Sequence, residues 1–229
     1  MAPEGRGRFM SESTDKRLVK RHDAIVMIQH WGIAISGLIL LMSGMIQLPS
    51  AARYKITSIP GFGWSGDFFI TLNMHYIASV FFVGMVVFHL VYHLFLKEYA
   101  MLPKSCDISD SIKVIKCFIT KSPEPPFGKY LPEQRLAYVA IAVPVIMVVV
   151  SGLFKTWKNI YLPDMDRTLL LWMTWIHNIG FMLFFMAFFA HIGALFIKPN
   201  RPMLRGMITG KVSAEYAEHR HPLWNKNKF

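Results

Sequence analysis

Charge and cysteine are both scarce in this sequence, and each shortage excludes a class of protein. Charged residues make up 17% of the 229 positions, whereas soluble domains contain about 25%. Two cysteines, Cys106 and Cys117, are too few for a disulfide-rich secreted fold. Because 53% of the residues are apolar, the chain also lacks the low hydrophobicity of disordered proteins. The composition therefore indicates a folded chain that is too apolar for an ordinary soluble domain.

Acidic residues are scarce as well: there are 14, against 25 lysines and arginines, which gives a net charge of +11. Such a charge often indicates nucleic-acid binding. Here the basic residues lie outside long apolar runs, and we therefore predict no nucleic-acid partner. The distribution instead suggests charges that flank membrane-spanning segments.

Four apolar segments are long enough to cross a bilayer, which requires about 20 residues. They cover residues 24–48, 68–96, 136–154 and 169–197, and none contains Lys, Arg, Asp or Glu. The first begins too late and is too long to be a signal peptide. The sequence therefore predicts an all-α integral membrane protein built as a bundle of four transmembrane helices.

The lysines and arginines divide unequally between the two ends of these segments. Twenty lie in the N-terminal tail, in the connection between the second and third segments, and in the C-terminal tail, whereas five lie in the other two connections. Because cytoplasmic loops carry the excess of basic residues, both termini are predicted to be cytoplasmic. The chain then divides into a cytoplasmic tail (1–23), a membrane domain (24–197) and a second cytoplasmic tail (198–229). The basic flanks also suit contact with anionic lipid headgroups.

The connections between the segments carry composition signals only. Residues 49–67 contain Pro60 and the turn sequence at 61–64, which predict an ordered loop on the outer side. Residues 97–135 are rich in proline and include a predicted short amphipathic helix near 109–120.

Six of the nine histidines lie within the apolar segments. His93 lies at the cytoplasmic end of the second segment, and the other five lie deeper, at two depths. His75 and His89 are 14 residues apart, as are His177 and His191. Since 14 residues make almost four helical turns, the members of each pair share a helix face and lie about 21 Å apart along the axis. Counted from the polar flanks, His30, His89 and His191 lie at one level, near the cytoplasmic side, and the other two lie near the outer side.

Ionisable side chains at this depth are costly and usually mark functional sites, although any single histidine could instead be a neutral, hydrogen-bonded core residue. Haem iron takes two axial protein ligands, and the porphyrin supplies the other four. Zinc requires three or four protein ligands, and no cysteine or carboxylate lies at these depths. The pattern therefore predicts one haem centre near each side. Spacing alone leaves open whether His30 or His89 pairs with His191.

Short motifs spread over the chain are shared with one group of membrane cytochromes. They are His30-Trp31 and Ser43-Gly44 in the first segment, His75 in the second, Gly128-Lys129-Tyr130 before the third, Ile176-His177 and Ala190-His191 in the fourth, and a tail from Met203 to Trp224. On these residues the chain, from about 21 to 224, resembles the cytochrome b (gamma) subunits of membrane-bound respiratory formate dehydrogenases. Those subunits are related to the cytochrome b of nickel hydrogenases.

The resemblance implies two b-type haems, the outer one held by His75 and His177 and the inner one by His30 and His191, with His89 as an alternative inner ligand. It also implies that electrons pass from an outer iron–sulfur subunit, through both haems, to menaquinone or ubiquinone on the cytoplasmic side. The electron source would be a molybdenum or tungsten catalytic subunit. This chain would reduce quinone without oxidising a substrate itself, in the cell membrane of a bacterium or archaeon.

The segment before the third span supplies the candidates for quinone binding, which are Gln134, Lys129 and Tyr130, although Leu131 stands where the family pattern leads us to expect an asparagine. Two other functions stay open. The chain could be the cytochrome b of a hydrogenase or another oxidoreductase. It could also be a haem-free transporter or scaffold with histidine proton relays, a class that is typically built from broken spans.

Overall fold

The computed structural model describes residues 17–48, 55–162 and 164–224. In chain order its helices are α1 Ala24–Gln47, α2 Phe68–Leu96, α3 Asp107–Thr120, α4 Pro132–Tyr161, α5 Arg167–Ala194, α6 Arg201–Thr209 and α7 Ala214–Arg220. The long helices α1, α2, α4 and α5 are each long and apolar enough to cross a membrane. The predicted fold class, an α-helical membrane bundle with four spans, is confirmed.

Local sequence explains where these helices begin. Asp67 starts α2 because its carboxylate accepts hydrogen bonds from the backbone N–H groups of Phe69 and Ile70, and Asp166 starts α5 in the same way. Pro132 occupies the first position of α4, where its missing N–H costs nothing. The helix α4 is longer than the predicted segment 136–154, because it continues through charged residues at both ends.

The long helices pack as two hairpins, α1 against α2 and α4 against α5. Leu41, Phe82, Val145 and Phe184 form the core between them, and the two phenylalanine rings meet edge to face with their centres 6.1 Å apart. Many large apolar side chains point outward, and Phe95, for example, is 83% exposed. Lipid tails are the medium that suits such a surface.

The two chain ends meet in a small structure that covers one end of the bundle. The strands β1 (Leu18–Lys20) and β2 (Lys211–Ser213) pair antiparallel, and α6 and α7 flank β2 in sequence. We call residues 17–23, 127–130 and 198–224 the cap. The end of the bundle that carries the cap is the capped end, and the opposite end is the open end. The capped end is the one predicted to be cytoplasmic. Gly210 makes the turn into β2 with a φ of +73°, and a Cβ there would lie 2.8 Å from the His22 carbonyl oxygen.

The helix α3 confirms the amphipathic helix predicted near 109–120 and is fastened to α4 by a buried ion pair. Arg135 Nε donates to Asp107 Oδ2 at 2.8 Å, Nη2 donates to Oδ1, and Nη1 donates to the Tyr130 carbonyl oxygen at 2.8 Å. This guanidinium holds the pKa of Asp107 below its usual range. Of the predicted outer loop 49–67, residues 49–54 lie outside the described residues, and the remainder forms two short 3-10 turns, Ile56–Ser58 and Gly63–Gly66.

Candidate functional site

At the open end, His75 on α2 and His177 on α5 face each other across the bundle. Their ring centres are 6.4 Å apart, and the ring planes are inclined at 63°. We call these two residues the open-end pair. They border a cavity of about 420 Å³ that is lined mainly by apolar side chains, with Lys155 and Asn178 among the polar ones. A cavity of this size and polarity is typical of a cofactor pocket.

A serine fixes the ring of each histidine in the open-end pair. Ser43 Oγ donates to the Leu40 carbonyl oxygen at 3.2 Å and lies 2.8 Å from His75 Nδ1. Since the serine proton is already used, the serine oxygen accepts the Nδ1 proton of the histidine. Ser151 stands in the same relation to His177 Nδ1, at 3.0 Å. This tautomer leaves the Nε2 lone pair available, as in metal-binding histidines with an outer hydrogen-bond partner.

At the capped end, His30 on α1 faces His191 on α5, with ring centres 6.3 Å apart and ring planes inclined at 49°. We call these two residues the capped-end pair. Its surroundings differ, because His30 Nδ1 is buried without a hydrogen-bond partner among the described residues. The neighbouring Trp31 Nε1 donates to the Met207 carbonyl oxygen at 3.1 Å. The cap therefore contacts the helical turn that carries His30.

His89 lies at the same level but has other partners. Its Nδ1 is 3.3 Å from Gln29 Oε1, and its Nε2 is 3.3 Å from the Tyr138 hydroxyl oxygen. One neutral tautomer satisfies both contacts, since Nδ1–H donates to the amide oxygen and Nε2 accepts from the hydroxyl. The ring centre of His93 is 4.5 Å away. The ring that faces His191 is therefore that of His30, whereas both nitrogens of His89 are engaged.

The two pairs suit a metal cofactor in which the cofactor itself supplies most of the ligands of the metal. Among the residues that the structure describes, no group of three or more His, Cys, Asp or Glu could hold a metal ion. An imidazole nitrogen binds a first-row metal at about 2.0–2.1 Å, so opposite imidazole ligands of one ion have ring centres roughly 6.3 Å apart. Both pairs show this separation. Two imidazoles facing across an apolar space are the protein ligand set that haem iron requires.

The aromatic core separates the two pairs. Phe82 lies seven residues from both His75 and His89, and Phe184 lies seven residues from both His177 and His191. Each pair is therefore about 10 Å from the core along the helix axis. The bundle thus contains two distinct histidine pairs with a packed layer between them.

The three quinone candidates meet at the capped end. Gln134 Oε1 accepts from the Leu131 N–H at 3.1 Å and so closes the first turn of α4. The Lys129 carbonyl oxygen accepts from Arg21 Nη2 at 2.6 Å, and the Arg21 guanidinium carbon is 5.8 Å from the centre of the Tyr130 ring. The amide oxygen of Gln134 is therefore used locally, while Lys129 and Tyr130 belong to the cap.

His22 and His221 lie in the two predicted cytoplasmic tails, where burial was not expected. In the cap they are 6% and 0% exposed, and His221 Nδ1 donates to the Gly128 carbonyl oxygen at 2.7 Å. The local sequence does not predict the burial of His221, because its hydrogen bond to Gly128 joins residues 93 positions apart.

A comparison with protein-family models matches residues 21–210 to the family described as prokaryotic cytochrome b561. The match covers more than four-fifths of the chain and contains all five histidines of the two levels. A search of the curated proteins finds no match.

Proposed function

The chain belongs to the prokaryotic cytochrome b561 family, whose members bind haem b in the membrane, and we propose that it is the membrane-anchoring di-haem subunit of a respiratory oxidoreductase. In this role it passes electrons from an iron–sulfur subunit at the open end to a quinone at the capped end. The observation that carries the proposal is the presence of two facing histidine pairs, each at the separation that opposite ligands of one iron require.

We assign the outer haem to His75 and His177, and the inner haem to His30 and His191. When bound, haem supplies one-electron redox chemistry. The protein's part is to orient the ligands and to exclude water. Ser43 keeps the proton of His75 on Nδ1 and thereby presents Nε2 as the ligand. The engagement of both His89 nitrogens supports His30, and not His89, as the inner ligand.

Quinone reduction requires hydrogen-bond donors and protons at the capped end, and Lys129, Tyr130 and Gln134 are the residues we assign to it. Burial lowers the pKa of the Lys129 ammonium, which makes it a readier proton donor to a reduced quinone. Burial raises the pKa of the Tyr130 hydroxyl, so this side chain remains a hydrogen-bond donor across the physiological range. The amide nitrogen of Gln134 is the third donor, since its oxygen closes the helix turn.

For the catalytic partner we propose a molybdenum or tungsten formate dehydrogenase, with the iron–sulfur subunit between it and this chain. Support comes from the resemblance of the His30-Trp31 motif and the C-terminal tail to the cytochrome subunits of those enzymes. A hydrogenase or another oxidoreductase is the alternative partner. Affinity purification of this chain from membranes, followed by identification of the bound subunits and a metal analysis, separates these cases.

The transporter alternative receives less support from the backbone. Transporters of the broken-span class unwind a helix near the middle of the membrane. The four long helices are continuous over their described ranges, and α4 runs unbroken through Pro144. Nothing in these spans favours a haem-free transport role.

The deciding experiment is a reduced-minus-oxidised absorption spectrum of the purified full chain, combined with haem quantification. We expect b-type bands and two haems per chain. A measured content of one haem per chain would rule out one of the two proposed centres. The absence of b-type absorption would refute the proposed function. Reduction of the haems by formate in native membranes, but not in membranes that lack the dehydrogenase, tests the partner separately.

A further inference from the structure

Arg21 is a buried cation that has no acidic partner among the described residues. Its side chain is 2% exposed, and its Nη2 donates to the Lys129 carbonyl oxygen. The Nε and Nη1 atoms have no hydrogen-bond partner among the described residues, and no carboxylate there forms an ion pair with the guanidinium. Arginine stays charged in proteins, and an unpaired buried charge is strongly unfavourable. Binding of an anion beside Arg21 would therefore be favourable.

The surroundings of Arg21 do not neutralise it. The aromatic rings of Tyr130 and Trp224 lie 5.8 and 5.3 Å from its guanidinium carbon, which is cation–π geometry but adds no negative charge. The acidic residues of this region are engaged elsewhere. Asp23 pairs with Lys20, whereas Glu124 and Glu133 pair with Arg220.

Other polar atoms around Arg21 are also unsatisfied. His22 Nε2, His221 Nε2 and the Tyr216 hydroxyl are buried without partners among the described residues. Proteins leave few such atoms unpaired, and here they are concentrated in one cap. Burial, followed by the charge of Arg21, lowers the pKa of His22 to about 3 and that of His221 to about 4. The cap interior therefore has a positive potential that an anion would balance.

This cluster lies beside the capped-end pair. Arg21 and His22 are followed by Asp23, the N-cap of α1, and His30 lies six positions, or about 9 Å along the axis, beyond Ala24, the first residue of the helix. The proximity is also electrostatic, since His30 contributes to lowering the pKa of His22. On the other side, α6 covers Arg21, because a Cβ on Gly206 would lie 3.7 Å from Arg21 Cδ.

We propose that Arg21 binds a carboxylate of the haem held by His30 and His191, and that its charge raises the reduction potential of this haem. The inference rests on the proposed function, because it assumes a haem at the capped-end pair. Haem b carries two carboxylates on short flexible arms at one edge of the ring, and Nε and Nη1 of Arg21 are the available donors. A guanidinium paired with a carboxylate forms strong charge-assisted hydrogen bonds. A phospholipid phosphate offers the same oxyanion chemistry and must be distinguished by experiment.

The test is a redox titration of the full-length protein carrying Arg21→Met, which keeps an unbranched side chain and removes the charge. A nearby positive charge favours the reduced, less positive haem. We therefore expect the oxidised-to-reduced ratio of one haem, at fixed ambient potential, to rise on the order of tenfold, while the other haem is unchanged. Arg21→Lys should restore most of the wild-type potential. Arg205→Met is the matched control, because it removes the same charge from an exposed position of α6 and should leave both potentials unchanged.

Two wild-type potentials in the Arg21→Met protein would overturn the inference. Loss of tightly bound phospholipid phosphorus from that variant, with both potentials unchanged, would assign the site to a lipid headgroup and also overturn it. If Arg21→Met does not accumulate, Arg21→Gln is titrated in its place with the same criteria. A wild-type chain without haem refutes the proposed function itself, so the two failures are distinguishable.

Discussion

The two histidine pairs have nearly equal ring separations, but the protein holds them in different ways. At the open end, Ser43 and Ser151 each accept the Nδ1 proton of a histidine. At the capped end, His30 Nδ1 has no partner among the described residues, and a buried Arg21 lies nearby in the cap. Hydrogen bonds thus orient the histidine rings at one end, whereas at the other the rings are positioned by packing and lie near a buried charge. Since ligand orientation and local charge set the potential of a haem, we expect two haems with distinct potentials.

The largest expected effect comes from replacing, one at a time, the two histidines that are candidates for ligating the inner haem. His30→Ala should remove one haem of two, because His191 then lacks the ring that faces it. His89→Ala should retain both haems, since His89 bonds to Gln29 and Tyr138 instead. Haem content per chain and the b-type spectrum are the measurements. Loss of a haem in His89→Ala alone would show that the assignment is wrong.

This ambiguity marks the limit of what the sequence could predict. The 14-residue spacing of His177 and His191 fixes the height and the face of each side chain on α5, because helix geometry is local. It does not fix which neighbouring helix faces that side chain. The choice between His30 and His89 therefore depends on how α1 and α2 are rotated, and that rotation follows from packing around Leu41 and Phe82.

The cap could not be predicted for a related reason. Its contacts join distant parts of the chain, such as Arg21 to Lys129 over 108 positions and His221 to Gly128 over 93. No local periodicity records such pairs, and charged residues in tails usually indicate solvated segments. The four spans were predictable because apolar length is a local property. The extent of α4 was not, because its first turn contains the charged Arg135, whose carboxylate partner Asp107 lies 28 positions away on α3.

The second-largest effect concerns the ion pair that holds α3 against α4 at the capped end. Asp107→Ala leaves the buried Arg135 without its carboxylate and should destabilise the packing of α3 on α4 by about 3–5 kcal/mol. Hydrogen exchange of the α3 amides measures this loss directly. Asp110→Ala is the control, since the partners of this partly exposed carboxylate, Lys113 and the Cys106 side chain, lie on or next to α3 itself, and it should change little. Equal exchange rates in the two variants would contradict the role of the ion pair.

The same ion pair predicts an acid limit for the capped end. The pKa of Asp107 is lower in the folded protein than the ordinary value because Arg135 favours its charged form. The stabilisation is therefore complete above the unfolded pKa of about 3.9, and it is lost as the pH falls through the lower, folded value. Protection of the α3 amides should decline below about pH 4 while the open-end haem spectrum persists. Loss of α3 amide protection at a higher pH would show that another titrating group controls it.

A smaller effect is expected from the serine that distinguishes the open end. Ser43→Ala removes the acceptor for the His75 Nδ1 proton, and loss of such an outer partner typically weakens metal binding about 10–100-fold. The outer haem alone should be affected, as measured by haem retention during mild detergent washes. Ser36→Ala is the matched control on α1, because Ser36 Oγ donates only to backbone carbonyls of its own helix, the nearest being Gly32 at 2.6 Å. Equal haem loss from both variants would mean that any serine deletion in α1 has this effect.

The smallest expected effect compares two glycines, one near each pair. At Gly152 a Cβ would lie 3.3 Å from His177 Cε1, whereas at Gly193, two residues beyond His191, it would meet nothing within 4 Å. Both Gly→Ala changes raise helix propensity by up to about 1 kcal/mol. Gly152→Ala should nevertheless displace the His177 ring slightly and shift the band of the outer haem, while Gly193→Ala should leave both bands in place. Low-temperature difference spectra resolve the two bands, and a shift of equal size in both variants would show that the crowding at Gly152 does not reach the ligand.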